Sequence, residues 1–248
     1  MTFRKAIILS AGQGSRLLPL TKDQPKCLIP FAGKPLIQWQ VEALAAKGIE
    51  EIAVVTGFRT EKVEAALAKL QGPAIRTLFN PFFKVADNLG SCWIARAEME
   101  EDFIILNGDT LVSSEIVSRL TEGATAPITV TVDVKDSYDT DDMKVNLDGD
   151  RLVAIGKRLS AKESNAESIG MLAFKGEGPA IFRRQVEKMM RTPEGVINWY
   201  LKAINAIAPT GAVGTVSIEG LDWGEVDFPE DVEVARALTA RWAAQAGQ

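Results

Sequence analysis

Arg4-Lys5-Ala6-Ile7-Ile8-Leu9-Ser10, running straight into Ala11-Gly12-Gln13-Gly14-Ser15-Arg16, decides how the rest of the chain is read. A short apolar run that stops in glycine-rich residues reads as a buried strand delivering a loop. Gly12 and Gly14 let backbone N–H groups approach a phosphate chain closely, with Ala11 and Ser15 beside them. A dinucleotide-binding turn would carry a third glycine where Arg16 stands and would open a helix at once. Here Pro19 and Pro25 delay any helix, and the loop runs on to Lys26. A long loop carrying Arg16 and Lys26 suits a triphosphate better than a pyrophosphate seated on a helix dipole. On this motif alone a glycine-rich surface turn stays open as the competing reading.

Outward from that loop, strands and helices alternate. Helical spacing covers residues 36–47, with Pro35 at the first turn and Gly48 just past the end. Strands are expected at 51–56, 75–79 and 103–106, and helices at 61–70, 91–99 and 114–120. Such alternation implies right-handed crossovers and a mainly parallel sheet. After Pro127 the pattern changes. Residues 128–134 read as a strand, and 144–147 with 151–155 flank Asp148-Gly149-Asp150, a hairpin signal. A strand at 169–174, helices at 179–190 and 196–206, strands at 213–218 and 224–226 and a helix at 229–246 complete the chain. The expected fold is α/β: a Rossmann-like, mixed, mainly parallel sheet flanked by helices. Residues 1–248 form one domain, 1–125 mainly holding a nucleotide and 126–248 mainly an acceptor.

Composition removes several chemistries. The chain of 248 residues has no histidine. That excludes Ser-His triads and His-ligated zinc, and leaves carboxylates, Lys, Arg and backbone dipoles. An attacking phosphate is already an anion and needs no base, so phosphoryl and nucleotidyl transfer survive the exclusion. Cys27 and Cys92 form no Cys-x-x-Cys pair, which favours a reducing compartment over a cysteine metal site. No apolar run approaches the ~20 residues of a membrane span, and the N-terminal run is too short for a signal peptide; the cytoplasm is the expected location. A net charge of −5 without a Lys/Arg block argues against a nucleic-acid partner.

The loop residues quoted above, with Pro19-Leu20-Thr21, Pro25-Lys26-Cys27-Leu28-Ile29-Pro30 and Gly33-Lys34-Pro35-Leu36, resemble the signature of the sugar-phosphate nucleotidyltransferase superfamily. Several parts at fixed spacing are more specific than a lone Gly-x-Gly. The resemblance extends through Asn107-Gly108-Asp109 and Trp223-Gly224-Glu225-Val226-Asp227, so it covers nearly the whole chain. Cys27 departs from the Pro or Ala usual after the lysine, read as tolerated packing. In mid-chain, Asn80-Pro81, Asn88-Leu89-Gly90-Ser91-Cys92-Trp93, Asp142-Met143-Lys144-Val145, Gly156-Lys157 and Glu167-Ser168-Ile169-Gly170 are similar to the cytidylyltransferases that act on phosphocholine, aminoethylphosphonate and related head groups.

That resemblance implies a Mg²⁺-dependent enzyme joining CTP and a small phosphorylated or phosphonate acceptor, with release of pyrophosphate. Asp109, Glu225 and Asp227 would be the metal ligands. Asp109 follows a strand, where α/β sheets bind their ligands, next to Gly108; alone, it also fits a turn. Glu225 and Asp227 share one face of a strand by period-two spacing, a costly pairing without a cation. Asp227, with Glu230 three residues on, also reads as a helix cap. Arg16 and Lys26 would stabilise charge on the transferring group. Asn88 and Ser91, at a helix start, would help read a pyrimidine. Lys157 and Glu167 would face the acceptor. Lys26 and Lys157 are otherwise ordinary surface charges, and Trp93, Trp199, Tyr200 and Trp223 ordinary core. Trp199 and Tyr200 with Tyr138 could alternatively form a cage for a quaternary ammonium. The other functional readings are a sugar-1-phosphate nucleotidyltransferase using UTP, dTTP or GTP, a nucleotide-sugar glycosyltransferase, and a nucleotide sensor without turnover. Asn107-Gly108-Asp109 in place of Asp-x-Asp weighs against the glycosyltransferase.

Overall fold

A computed structural model describes residues 3–246. The opening apolar run is β1 (Lys5–Ser10), buried from Ala6 onward as a strand covered on both faces requires. The signature loop follows. A small ribbon, β2 (Pro30–Phe31) with β3 (Lys34–Pro35), then turns the chain into α1 (Leu36–Ala45). Pro35 precedes the first helical residue, where no N–H is needed. Gly48 adopts φ +86° beyond α1, a left-handed turn that sends the chain into β4 (Glu51–Thr56). Next come α2 (Thr60–Leu67), β5 (Ala74–Phe79), α3 (Asn88–Ile94), β6 (Phe103–Asn107), the two-residue β7 (Thr110–Leu111) and α4 (Ser114–Gly123). Ser113 caps α4 by accepting from the N–H of Ile116 at 3.3 Å. The second half contains β8 (Ile128–Asp133), the hairpin of β9 (Lys144–Asp148) and β10 (Arg151–Ile155), β11 (Ala166–Phe174), α5 (Gly178–Met190), α6 (Tyr200–Ile207), β12 (Val213–Ser217), β13 (Gly224–Glu225) and α7 (Pro229–Ala246).

Among the described residues, nine strands form one sheet in the order β5-β4-β1-β6-β11-β8-β12-β10-β9. The first four run parallel. β11 is antiparallel to both β6 and β8, and β12 is parallel to β8. The expected α/β architecture is therefore present: within the nine-stranded sheet, every antiparallel pair involves at least one strand of the second half. Period-two alternation sends side chains to two cores. Ile7, Leu9, Val55 and Ile105 pack with Leu89 of α3, Phe182 of α5 and Ile204 of α6. Ala6, Ile8, Val54 and Leu106 pack with Val41 of α1, Val63 of α2 and Val117 of α4. A third cluster joins Val232 and Leu238 of α7 to Leu17 and Ile29 of the signature loop. Among the described residues, no helix is long and apolar enough to cross a membrane.

Two helices differ most from expectation, and α2 also ends at Leu67, short of the expected 70. The helix expected at 91–99 begins three residues earlier, at Asn88, and gives way to a 3-10 turn over Ala95–Glu98. The helix expected at 196–206 is broken: Gly195–Ile197 is a 3-10 turn, and α6 starts only at Tyr200. The cause is tertiary. The N–H groups of Asp87 and Leu89 donate to the carbonyls of Val196 (2.8 Å) and Asn198 (3.2 Å), and the Asn88 side-chain carbonyl accepts from the N–H of Tyr200 at 2.9 Å. Two chain segments thus cap one another, overriding local helical preference.

Candidate active site

At the carboxyl ends of β1 and β6 lies a cavity of about 660 Å³, the place where open α/β sheets bind ligands. Its wall brings together Ala11, Gly12, Gly14, Ser15, Arg16, Lys26, Asn88, Ser91, Gly108, Asp109, Lys157, Glu225 and Asp227. All were singled out in the sequence, from segments more than two hundred residues apart.

The loop side is built around Gly14. Its φ is +76°, and a Cβ there would sit 2.9 Å from the Cβ of Lys26, so glycine is needed both for the turn and for the passage of the lysine stem. The Gly14 carbonyl accepts from the Thr21 hydroxyl at 2.7 Å, and the Gln13 amide donates to the Thr21 carbonyl at 3.1 Å. These bonds pin the loop internally, and the prolines fix φ on either side.

The acidic side depends on a ribbon the sequence did not announce. β13 pairs antiparallel with β7, Glu225 opposite Thr110, and the Val226 N–H donates to the Asp109 carbonyl at 3.1 Å. Val226 points into the core beneath α7, so its neighbours Glu225 and Asp227 point the other way, into the cavity. Oxygens of Asp109, Glu225 and Asp227 come within 4.8 Å of one another. The Lys26 ammonium donates to Asp109 at 2.7 Å and to Asp227 at 2.6 Å, and Arg16 reaches Asp227 at 3.5 Å.

Charge and burial set the protonation of this cluster. Burial works against the Lys26 ammonium, but Asp109 and Asp227 outweigh it and hold its pKa above the ordinary lysine value. Burial would raise Asp227, yet Lys26, Arg16 and Lys157 pull it below the usual carboxylate value. Among the described residues, Glu225 has no such close cation. Loss of solvation among the cavity-wall residues first, then the charges of Asp109 and Asp227, push its carboxyl up to about 8, although part of the side chain reaches solvent. Asp109 Oδ1 is buried with no hydrogen-bond partner among the described residues. Three hard oxygen donors, one of them orphaned, fit a divalent cation of the magnesium or manganese kind and not a thiophilic metal.

At the start of α7 a neighbour of Asp227 supplies the cap. The Asp231 carboxylate accepts from the N–H groups of Asp227 (2.9 Å) and Phe228 (2.7 Å), which leaves the Asp227 carboxylate to Lys26. Asn88 and Ser91 lie in the first turn of α3, but each is partly committed: Asn88 to Tyr200, as above, and Ser91 to the Asn80 amide at 3.2 Å. On the far side, Lys157 stacks over the Trp199 ring at 5.2 Å and lies 3.8 Å from Asp141.

Glu167 is a correction. Ser168, Ile169 and Gly170 line the cavity, but Glu167 is 2% exposed and its carboxylate is ion-paired to Lys135 at 2.6 Å. A buried carboxylate needs such a partner. The aromatic cage is a second correction. Tyr200 is wholly buried against Phe182, and the Tyr138 hydroxyl accepts from the Lys135 N–H. Cys27 is buried in the core, as a tolerated packing residue should be. The sequence reading missed Asp87 and Asp141, two further acidic residues in the cavity wall. Asp87 directly precedes Asn88 and Asp141 directly precedes Asp142, and that adjacency was the available signal.

Known proteins resemble this chain over part or nearly all of its length. A CTP:phosphoglutamine cytidylyltransferase from Campylobacter jejuni is 29% identical over 255 residues, covering 92% of this chain and 98% of that protein. A choline-phosphate cytidylyltransferase from Streptococcus pneumoniae is 36% identical over 101 residues, spanning 41% of this chain and 43% of the relative. The solved inositol-1-phosphate CTP transferase of T. maritima superposes with a TM-score of 0.80 at 22% identity, over 96% of both chains. The profile of the family described as Nucleotidyl transferase matches residues 5–142, and the chain belongs to that family.

Proposed function

We propose that this nucleotidyltransferase moves the cytidylyl group of CTP onto a small phosphorylated or phosphonate acceptor. One observation carries the reading: three carboxylates, Lys26 and a glycine-rich loop converge in one cavity large enough for a nucleotide and a small acceptor. The cytidine preference is supported by the relatives named above.

In the reaction, an oxygen of the acceptor's phosphate or phosphonate attacks the α-phosphorus of CTP. The bond from that phosphorus to the bridging oxygen breaks, and pyrophosphate leaves with the electron pair. No proton need be removed from the attacking oxygen, in keeping with a histidine-free site. N–H groups of the Gly12–Ser15 loop bind the triphosphate, and Arg16 and Lys26 neutralise charge that grows on the transferring and leaving groups. Lys157 orients the acceptor's anionic group. Asp109, Glu225 and Asp227 would hold Mg²⁺, and the cation would supply positive charge that offsets repulsion between the α-phosphate and its anionic attacker.

Base choice is checked by pyrophosphate release with four NTPs against phosphocholine, aminoethylphosphonate and several sugar phosphates. CTP should exceed ATP by at least about 10²-fold, because a site that hydrogen-bonds a base edge rejects one it cannot pair. Equal turnover of CTP and ATP contradicts the pyrimidine assignment, and preference for UTP with a sugar 1-phosphate replaces the acceptor class.

Metal binding should depend on pH with a definite sign. Glu225, titrating near 8, is protonated at pH 6.5, and a cation must displace that proton. Mg²⁺ affinity should therefore rise by up to about tenfold per unit from pH 6.5 towards 8 and flatten above. Calorimetry at pH 6.5 in two buffers of different ionisation enthalpy should show close to one proton released. Affinity independent of pH over this range removes Glu225 from the ligand set.

A further inference from the structure

Gln40 is a polar residue on an apolar stripe. Leu36, Ile37, Val41 and Leu44 around it are the core-facing residues of α1, and Gln40 itself is 0% exposed. A primary amide in such a place is costly unless its donors are used. Its Nε2 donates to the Asn107 carbonyl at 2.7 Å and to the Thr110 carbonyl at 2.8 Å. Carbonyls can only accept, so these bonds fix which end of the amide is nitrogen. The other end, Oε1, is buried with no partner among the described residues. The glutamine is thus held in the core for its two donated bonds.

The two carbonyls bracket Gly108 and Asp109. From the opposite side, a Cβ at Gly108 would come within 2.3 Å of the Ser10 hydroxyl oxygen and 2.5 Å of the Leu9 carbonyl, and the Gly108 N–H donates to that carbonyl at 3.0 Å. The turn joining β6 to β7 is therefore clamped between β1 and α1. The Asp109 carboxylate emerges from this clamp towards Lys26, Glu225 and Asp227.

We infer that Gln40 is a positioning residue for Asp109. Its amide bridges the backbone on both sides of that residue and so sets where the carboxylate stands relative to the pair from β13. The inference rests on the assignment of Asp109 as a cation ligand. A residue that only filled the core would need volume and not donors, which makes the two roles separable.

Gln40→Met keeps the volume and deletes both donors. Three quantities are compared with the unaltered enzyme: Mn²⁺ affinity from the electron paramagnetic resonance of free Mn²⁺, amide hydrogen exchange over residues 107–111 in metal-free protein, and kcat with KM for CTP. Groups that orient a metal ligand typically account for about 10–100-fold in affinity. Mn²⁺ affinity should fall at least about tenfold, exchange over 107–111 should accelerate, and kcat should fall while KM for CTP moves by less than about threefold. A lower melting temperature with unchanged Mn²⁺ affinity, exchange and kcat overturns the inference and leaves Gln40 a core filler. If Gln40→Met does not fold, Gln40→Asn takes its place: an amide one methylene shorter cannot span both carbonyls, and the same losses are expected. Asp109→Asn separates the two levels. If it binds Mn²⁺ like the unaltered enzyme, the cation assignment fails, while exchange in metal-free protein still judges the clamp. If it loses Mn²⁺, adding Gln40→Met to it should weaken binding no further; a further loss overturns the positioning role.

Discussion

Lys26→Ala should lower kcat by about 10²–10³ and change KM for CTP far less. The ammonium already lies 2.7 and 2.6 Å from two carboxylates, on a stem packed against Gly14 in a proline-bounded loop. A cation so placed need not reorganise as charge develops on the transferring phosphate. Its side chain is only 14% exposed, which sets it apart from an ordinary solvated lysine. Lys26→Arg should rescue poorly. A planar guanidinium does not fit where a compact ammonium bridges two oxygens, and the contact with Gly14 leaves little room for a longer stem. The alanine variant also leaves three carboxylates facing one another, so its metal-free melting temperature should fall as well. Unchanged kcat and kcat/KM in steady-state assays of both variants would take Lys26 out of the mechanism.

The acidic cluster provides the second large effect, with a control in Asp231, four residues beyond Asp227. Asp109→Asn and Asp227→Asn should each reduce kcat by about 10²–10³ with the fold intact, because each removes a charge from the site and little else. Asp231→Ala should do the reverse. It removes the carboxylate that accepts the N–H groups of Asp227 and Phe228, so it should lose about 1 kcal/mol of stability and keep most of the rate. For a domain of this size that is a fall of roughly 2–4 °C in melting temperature. Melting temperature and kcat measured on the same samples decide it. If Asp227→Asn lowers the melting point and spares the rate, Asp227 belongs to the helix and not to the site.

Much of this was legible because it is local. The run from Lys5 to Ser10 is apolar and short, so it reads as a strand without help from the rest of the chain, and the glycines after it can only end it. Glu225 and Asp227 flank an apolar Val226, and period-two geometry places both carboxylates on one side whatever the partner strand is. What failed depends on contacts between distant residues. The segment 196–206 carries a helical pattern, but its first residues give their carbonyls to the N-terminus of α3. Tyr200 looks like a polar aromatic free to face a ligand until α6 turns it against Phe182. Glu167 lies beside residues that line the cavity, yet Lys135, from a loop thirty residues earlier in the chain, draws its carboxylate away. The pairing of β7 with β13, which assembles the acidic cluster, involves two residues on each side, too few for any periodicity to reveal.

Cys27, which follows Lys26, is buried, and burial pushes its thiol up to about 12. At neutral pH almost none of it is thiolate, the form that reacts with electrophiles. An alkylating reagent therefore meets an inert group for as long as the loop stays shut, and reacts at the rate of an ordinary cysteine only in the moments when it opens. The speed of modification at this one atom is in effect a clock for the breathing of the glycine-rich loop, legible by mass spectrometry without nucleotide, metal or turnover.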